Sequence, residues 1–233
     1  MRKSSRLAAL VALPLATLLV AGTSQAFTLS AGDVPNGVSS HDTGIAFFEA
    51  GPRKFKHKSN HGFDGLGVKG GFVDGEIDLK NGEYIDITFH APVVLSELVL
   101  GHLFADGNRG DQVSEVARVQ VLDLPDAFVA GDLSVVSGTT ATWSGPGGSV
   151  SNLSPGLNGH GGVWAVANPF GDLAVQKLRL FPIQVSGVKA GAANSDFSFV
   201  SMAGGMATVV PEPGTALLLG AGLVGLAFSG RRR

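Results

Sequence analysis

Cysteine is absent from the 233 residues. No disulfide can staple the chain, so its fold must rest on a packed core or on bound ligands or ions. A chain of this length can bury such a core without cross-links. Charge is sparse as well: Asp, Glu, Lys and Arg together make up 15%, which does not suit long surface helices. Net positive charge is also lacking. The formal charge is −2, and without residues 1–26 (three basic) and 211–233 (three basic, one acidic) the remainder holds 11 basic and 18 acidic residues, a net of −7. An acidic domain excludes nucleic acid as a partner and is compatible with cation binding. What is plentiful is glycine, 34 residues, with 11 prolines, the composition of short strands joined by many turns.

Both ends read as targeting segments. Arg2, Lys3 and Arg6 form a basic start, Leu7 to Val20 an apolar run, and Ser24-Gln25-Ala26 places small residues one and three positions before a cut after Ala26. The run is too short to span a membrane and is interrupted by Pro14. At the other end Pro211-Glu212-Pro213-Gly214 precedes an apolar run from Thr215 to Phe228 and then Arg231-Arg232-Arg233. Two prolines hold the tripeptide extended, as a processing enzyme's cleft requires. As a helix the run measures about 21 Å against about 30 Å of hydrocarbon, a short span with the arginines kept on the cytoplasmic side.

That C-terminal order resembles the PEP-CTERM sorting signal of Gram-negative bacteria. The resemblance implies processing by an exosortase, a membrane transpeptidase-like enzyme, in species that make exopolysaccharide and biofilm matrix. Its sorting residues here would be Pro211, Glu212, Pro213, Arg231, Arg232 and Arg233. Signal peptidase and exosortase are the expected partners, with the membrane held through the C-terminal segment before processing.

Between the ends the pattern is that of strands. Tyr84 to His90 alternates, with Ile85, Ile87 and Phe89 on one face. Val93 to Leu100 follows Ala91-Pro92, and Val116 to Leu122 alternates again. Further strands are expected over 128–136, 139–143, 163–167, 173–185 and 197–202, separated by turn pairs such as Asp74-Gly75 and Asn81-Gly82. Residues 145–162 read as one long Gly/Ser/Pro loop. The expected architecture is all-β: an antiparallel β-sandwich, jelly-roll-like, over 27–203, a linker over 204–210, and short hydrophobic helices at the two termini. Asp64 to Val68, Glu76-Ile77-Asp78, Ile85 to Phe89 and Ser195 to Phe199 also resemble a pattern in secreted PEP-CTERM β-sandwich proteins. That second resemblance speaks to fold rather than activity.

Several motifs fail on context. Gly65-Leu66-Gly67-Val68-Lys69-Gly70 spells the dinucleotide fingerprint, but no strand pattern precedes it and no helix pattern follows. Asp42-Thr43-Gly44 has no second copy to share a proton with. Arg109-Gly110-Asp111 reads as coincidence within a turn. Arg53 to Lys58 is a basic cluster read as a solvated loop, with Phe55 as an apolar face should it bind an acidic polysaccharide. The carboxylates carry more. Asp74, Glu76 and Asp78 alternate, so an extended backbone would stack them on one face, where a cation such as calcium relieves repulsion. Asp64, Asp106 and Asn108 offer further oxygens.

No Ser-His-Asp or Cys-His set can be placed, so the expectation is a non-enzymatic protein of the cell envelope, surface or extracellular matrix. Its role would be structural or adhesive in biofilm or exopolysaccharide. The alternative is a carbohydrate-binding module, although Trp143 and Trp164 both lie in apolar strand contexts suited to the core. The mature protein from its host is expected to lack residues 1–26 and the segment after Pro213, as intact-mass measurement of membrane and secreted fractions will check. Retention of Thr215 to Arg233 would make the tail a plain membrane anchor.

Overall fold

The computed structural model describes residues 25–60, 62–70, 74–107, 113–124, 128–154, 162–184, 195–207, 219–223 and 226. In chain order the strands are β1 Ala26–Ser30, β2 Ser40–Asp42, β3 Ala46–Gly51, β4 Phe55–Asn60, β5 Phe63–Val68, β6 Ile77–Asp78 and β7 Tyr84–Gly101. They continue with β8 Val116–Val121, β9 Val129–Ser137, β10 Thr140–Trp143, β11 Ser149–Asn152, β12 Val163–Ala167, β13 Val175–Pro182 and β14 Asp196–Met206. Their registered pairings are antiparallel.

β7 organises the architecture. Its first half lies between β3 and β13, and its second half between β12 and β14. One half of the sandwich is therefore built on β10-β9-β8-β13-β7, with β2 and β3 on the far side, and the other on β7-β14-β5-β4, with β11, β12 and β1. The two halves meet face to face. Phe48 of β3 packs against Phe199 of β14, and Phe27 of β1 against Phe89 of β7, each with ring centroids 5.7 Å apart. Phe55, Leu66, Ile85, Ile87, Leu98, Leu178 and Leu180 fill the same continuous core. On the outside, two Arg–Asp pairs sit directly across strands, Arg118 on Asp132 and Arg179 on Asp86, each bidentate at 2.7 and 2.8 Å.

Several expectations need revision. The break expected at Ala91-Pro92 is a bulge inside one 18-residue strand, because between Thr88 and Val93 β7 advances five residues while β13 advances two, from Lys177 to Val175. A proline is tolerated where the ladder is already interrupted. β14 runs to Met206, so residues 204–206, expected to open the linker, are strand paired with both β1 and β7. The long loop over 145–162 contains β11, paired with β12. Arg53 to Lys58 is not a loop: from Phe55 on it is β4, an edge strand with Phe55 fully buried. Lysines along such an edge discourage pairing with another chain.

Phe199→Ala is expected to cost about 3–5 kcal/mol in urea unfolding, since it empties the contact between the two halves. Phe128, 72% exposed, is the control: its alanine variant should change stability by no more than about 0.5 kcal/mol.

Candidate functional site

Where β4, β5, β14 and the bend after β7 converge, the sandwich holds polar side chains that are hidden from solvent. His102 follows β7 with a left-handed backbone, φ 57°, a conformation that a non-glycine residue adopts only when its surroundings impose it. Its Nδ1 lies 2.6 Å from Ser198 Oγ and its Nε2 lies 2.6 Å from Asn60 Oδ1. With neutral imidazole, Nε2–H donates to Asn60 and the Ser198 hydroxyl donates to Nδ1. Glu76 Oε1 is 3.9 Å from the same Nδ1 and contacts Lys58 Nζ.

Serine, histidine and a carboxylate thus come together, but not as a working nucleophile. Ser198 and His102 are buried, and Gly65 of β5 lies across the hydroxyl: a Cβ at Gly65 would come within 2.1 Å of Ser198 Oγ. A reacting carbonyl has no approach in this conformation.

Glu76 is strongly perturbed. Burial first, then the facing Asp196 with which it hydrogen-bonds, push its pKa up to about 9, against the opposing pull of Lys58. Asp196 is buried with one oxygen, Oδ2, unpartnered. Glu83 is pushed up to about 7, chiefly by burial, while its Oε2 accepts the Asp78 N–H at 3.0 Å. Burial favours the protonated form of both Glu76 and Glu83.

The expected calcium face does not form. Asp74 is exposed in a turn, where it accepts the Gly70 N–H at 2.7 Å. Glu76 turns inward to Lys58, and Asp78 is buried and caps the turn Leu79–Asn81 by accepting from Lys80 N–H at 2.7 Å. Asp64 sits 3.2 Å from His57 Nδ1, and Asp106 is exposed at a separate turn. Asn108 lies outside the described residues. Alternation in sequence placed these groups on one strand face, but only Ile77–Asp78 is strand there. Among the described residues no group of three His, Cys, Asp or Glu is arranged to hold a metal ion.

Nor do the tryptophans form a sugar-stacking surface. Trp164 is buried and its indole N–H donates to Leu103 O at 3.1 Å. Trp143 is half-buried against Phe170 and donates to Pro169 O at 2.9 Å. Phe55 is in the core. The surface does carry an open groove of about 540 Å³ at the β7–β8–β13 end, lined by residues that include Glu83, Tyr84, Gln120, Arg179 and Phe181. Tyr84 is covered there by the Arg179 guanidinium, 4.0 Å from its ring centroid.

At the C-terminus, residues 219–223 are helical, and Leu219, Leu223 and Leu226 face outward, 62–70% exposed. Residues 209–233 match the family model described as the PEP-CTERM protein-sorting motif. The chain carries a PEP-CTERM sorting motif. It is therefore an exported protein, processed by an exosortase and sorted to the cell surface. The motif begins three residues after β14 ends. Pro211, Glu212, Pro213 and Arg231 to Arg233 lie outside the described residues. No curated protein matches the chain.

The raised acids set a pH dependence. Between the ordinary value of 4.5 and about 9 the folded chain holds a proton on Glu76 that the unfolded chain has released. Stability from this group is fully present below pH 4.5 and is lost as pH rises toward 9, by up to about 1.4 kcal/mol per pH unit. Glu83 acts in the same sense between 4.5 and about 7. Denaturant midpoints are expected to fall from pH 5 to pH 9, and Glu76→Gln should flatten that fall.

Proposed function

We propose that the β-sandwich has a non-enzymatic, structural or adhesive role in the biofilm or exopolysaccharide matrix of a Gram-negative bacterium. The observation that carries this reading is the sorting motif over 209–233, which addresses the domain to the surface where that matrix lies. It is supported by the burial of Ser198 and His102 beneath Gly65, which leaves a compact domain with its reactive groups turned inward. The tail is transiently anchored in the inner membrane, and the signal peptide is removed by signal peptidase after Ala26.

The second reading, a carbohydrate-binding module, would use the groove at Tyr84, Gln120, Arg179 and Phe181 rather than the tryptophans. Amide, guanidinium and aromatic groups in one concavity suit a sugar's hydroxyls and its C–H face.

The purified domain is expected to co-sediment with exopolysaccharide from its host and to leave polymer length unchanged, as size-exclusion chromatography with light scattering will report. Shortened polymer or new reducing ends would overturn the non-enzymatic reading. Saturable binding of soluble oligosaccharide, weakened at least about tenfold by Phe181→Ala, would favour the module.

A further inference from the structure

Positive charge is unevenly spread over this acidic domain. Of the 11 basic residues between 27 and 210, five lie in the 17 residues from Arg53 to Lys69, against one acid, Asp64. Lys58 is turned inward to Glu76. The other four stay at the surface: Arg53, Lys54 and Lys69 are exposed and Lys56 is half-buried. Strand pairing gathers them. Phe55 stands opposite Val68 and Lys56 opposite Gly67, and the Lys69 N–H donates to Lys54 O at 2.7 Å. Lys54 and Lys69 therefore face each other across the two strands. Lys54 and Lys56 flank the core residue Phe55, so both take the outer face of β4. The Arg53 guanidinium donates to Gly70 O, beside Lys69.

Two features set this patch apart from the other cations. Arg118 and Arg179 are each paired with an aspartate, and Lys177 Nζ lies 3.9 Å from Asp86. Among the described residues no salt bridge joins Arg53, Lys54, Lys56 or Lys69 to a carboxylate. Asp74, in the adjoining turn, accepts the Gly70 N–H at 2.7 Å. Like charges directly opposite on neighbouring strands repel, and Lys54 opposite Lys69 carries that cost with no acid to relieve it. Protection of the β4 edge accounts for Lys54 and Lys56. Lys69 follows β5, the inner strand of the pair, and guards no edge.

We propose that the face formed by Arg53, Lys54, Lys56 and Lys69 binds an acidic polysaccharide, laid along β4 with its carboxylates or sulfates between the cations. This rests on the reading of the domain as a matrix protein, and names the surface and the polymer chemistry it uses. Backbone positions on the face are about 6.6 Å apart along β4 and about 4.8 Å apart across to β5. Such an array meets a linear polymer that bears an anion on successive sugar rings. The rest of the domain is acidic, so it repels the polymer elsewhere and directs it to this face. An anionic membrane is the poorer match. Binding at a lipid surface joins charge to inserted apolar groups, and no large hydrophobic side chain of β4 or β5 is exposed.

The test uses the full chain in non-ionic detergent, with biolayer interferometry against polygalacturonate, dextran sulfate and neutral dextran. The arginines at the chain ends are common to every variant, so differences between variants report the patch. Wild type is expected to bind the acidic polymers and not dextran, with affinity falling as salt rises. Binding of only one acidic polymer names the anion. The triple variant Lys54→Gln, Lys56→Gln, Lys69→Gln should bind at least about tenfold more weakly. Its slope of log affinity against log salt should be smaller by about two, for three lost cations at roughly 0.7 each. The triple Lys→Arg variant at the same positions should retain binding, and Lys177→Gln, on the other half of the sandwich, should leave it unchanged. Native emission from buried Trp164 checks the fold of each variant. Unchanged binding by the glutamine triple, equal weakening by Lys177→Gln, or capture of neither acidic polymer would overturn the assignment. So would binding only to vesicles of phosphatidylglycerol and phosphatidylcholine, which would make the face a membrane contact. Patch-dependent capture of these polymers without sedimentation on the host's own exopolysaccharide would uphold the face and overturn the matrix role instead.

Discussion

The pairing of β14 with β7 is the contact on which the rest of the fold depends. β7 supplies neighbours to both halves of the sandwich, and β14 runs beside its second half from Ser198 to Met206. On its other side β14 pairs with β5 at Phe199 and with β1 from Ser201 to Gly205. Phe197, Phe199 and Met202 of this strand are buried in the common core. A strand that lies ahead of the tail thus holds the middle of the second half, and the domain cannot close until nearly all of the chain is present. Non-local closure of this kind makes folding slow and keeps hydrophobic edges open meanwhile, which the lysines on edge strand β4 offset by discouraging association.

The same strand crossing creates the buried polar cluster. Ser198, Asp196 and Ser195 enter from β14 and the residue before it, Glu76 from beside β6, Lys58 and Asn60 from β4, and His102 from the bend after β7. An ion buried without full compensation costs several kcal/mol, so Glu76 gives up its charge instead. The domain therefore keeps Glu76 in its polar interior by holding a proton, and its stability follows pH. The outer Arg118–Asp132 and Arg179–Asp86 pairs are of a different kind: both are bidentate, with partly exposed arginines and with Asp86 buried, and they mark the register of the strands they join.

Legibility followed local contrast. Tyr84 to His90, Val116 to Val121 and Val163 to Ala167 were readable because apolar residues alternated or ran together between turn residues. β4, with the sequence Phe-Lys-His-Lys-Ser-Asn, was not, because an edge strand buries so little that one phenylalanine is its whole apolar signal. The tail of β14, Ala-Gly-Gly-Met, was hidden for the opposite reason: glycines there let β1 and β7 approach closely and so erase the side-chain pattern. The acidic alternation at Asp74, Glu76 and Asp78 misled because a turn, rather than a strand, separates the first from the others.

The amino-acid sequence by itself determined the address and the class of the domain. A processing signal is read as an unfolded peptide, so order and spacing along the chain are the whole of its information, and strand periodicity is likewise local. Only the tertiary structure decided which side chains meet. His102 with Ser198, Glu76 with Asp196, and Ala26 with Gly205 are separated by 96 to 179 residues along the chain. Their meeting depends on strand register, a property of the folded sheet that no single segment contains.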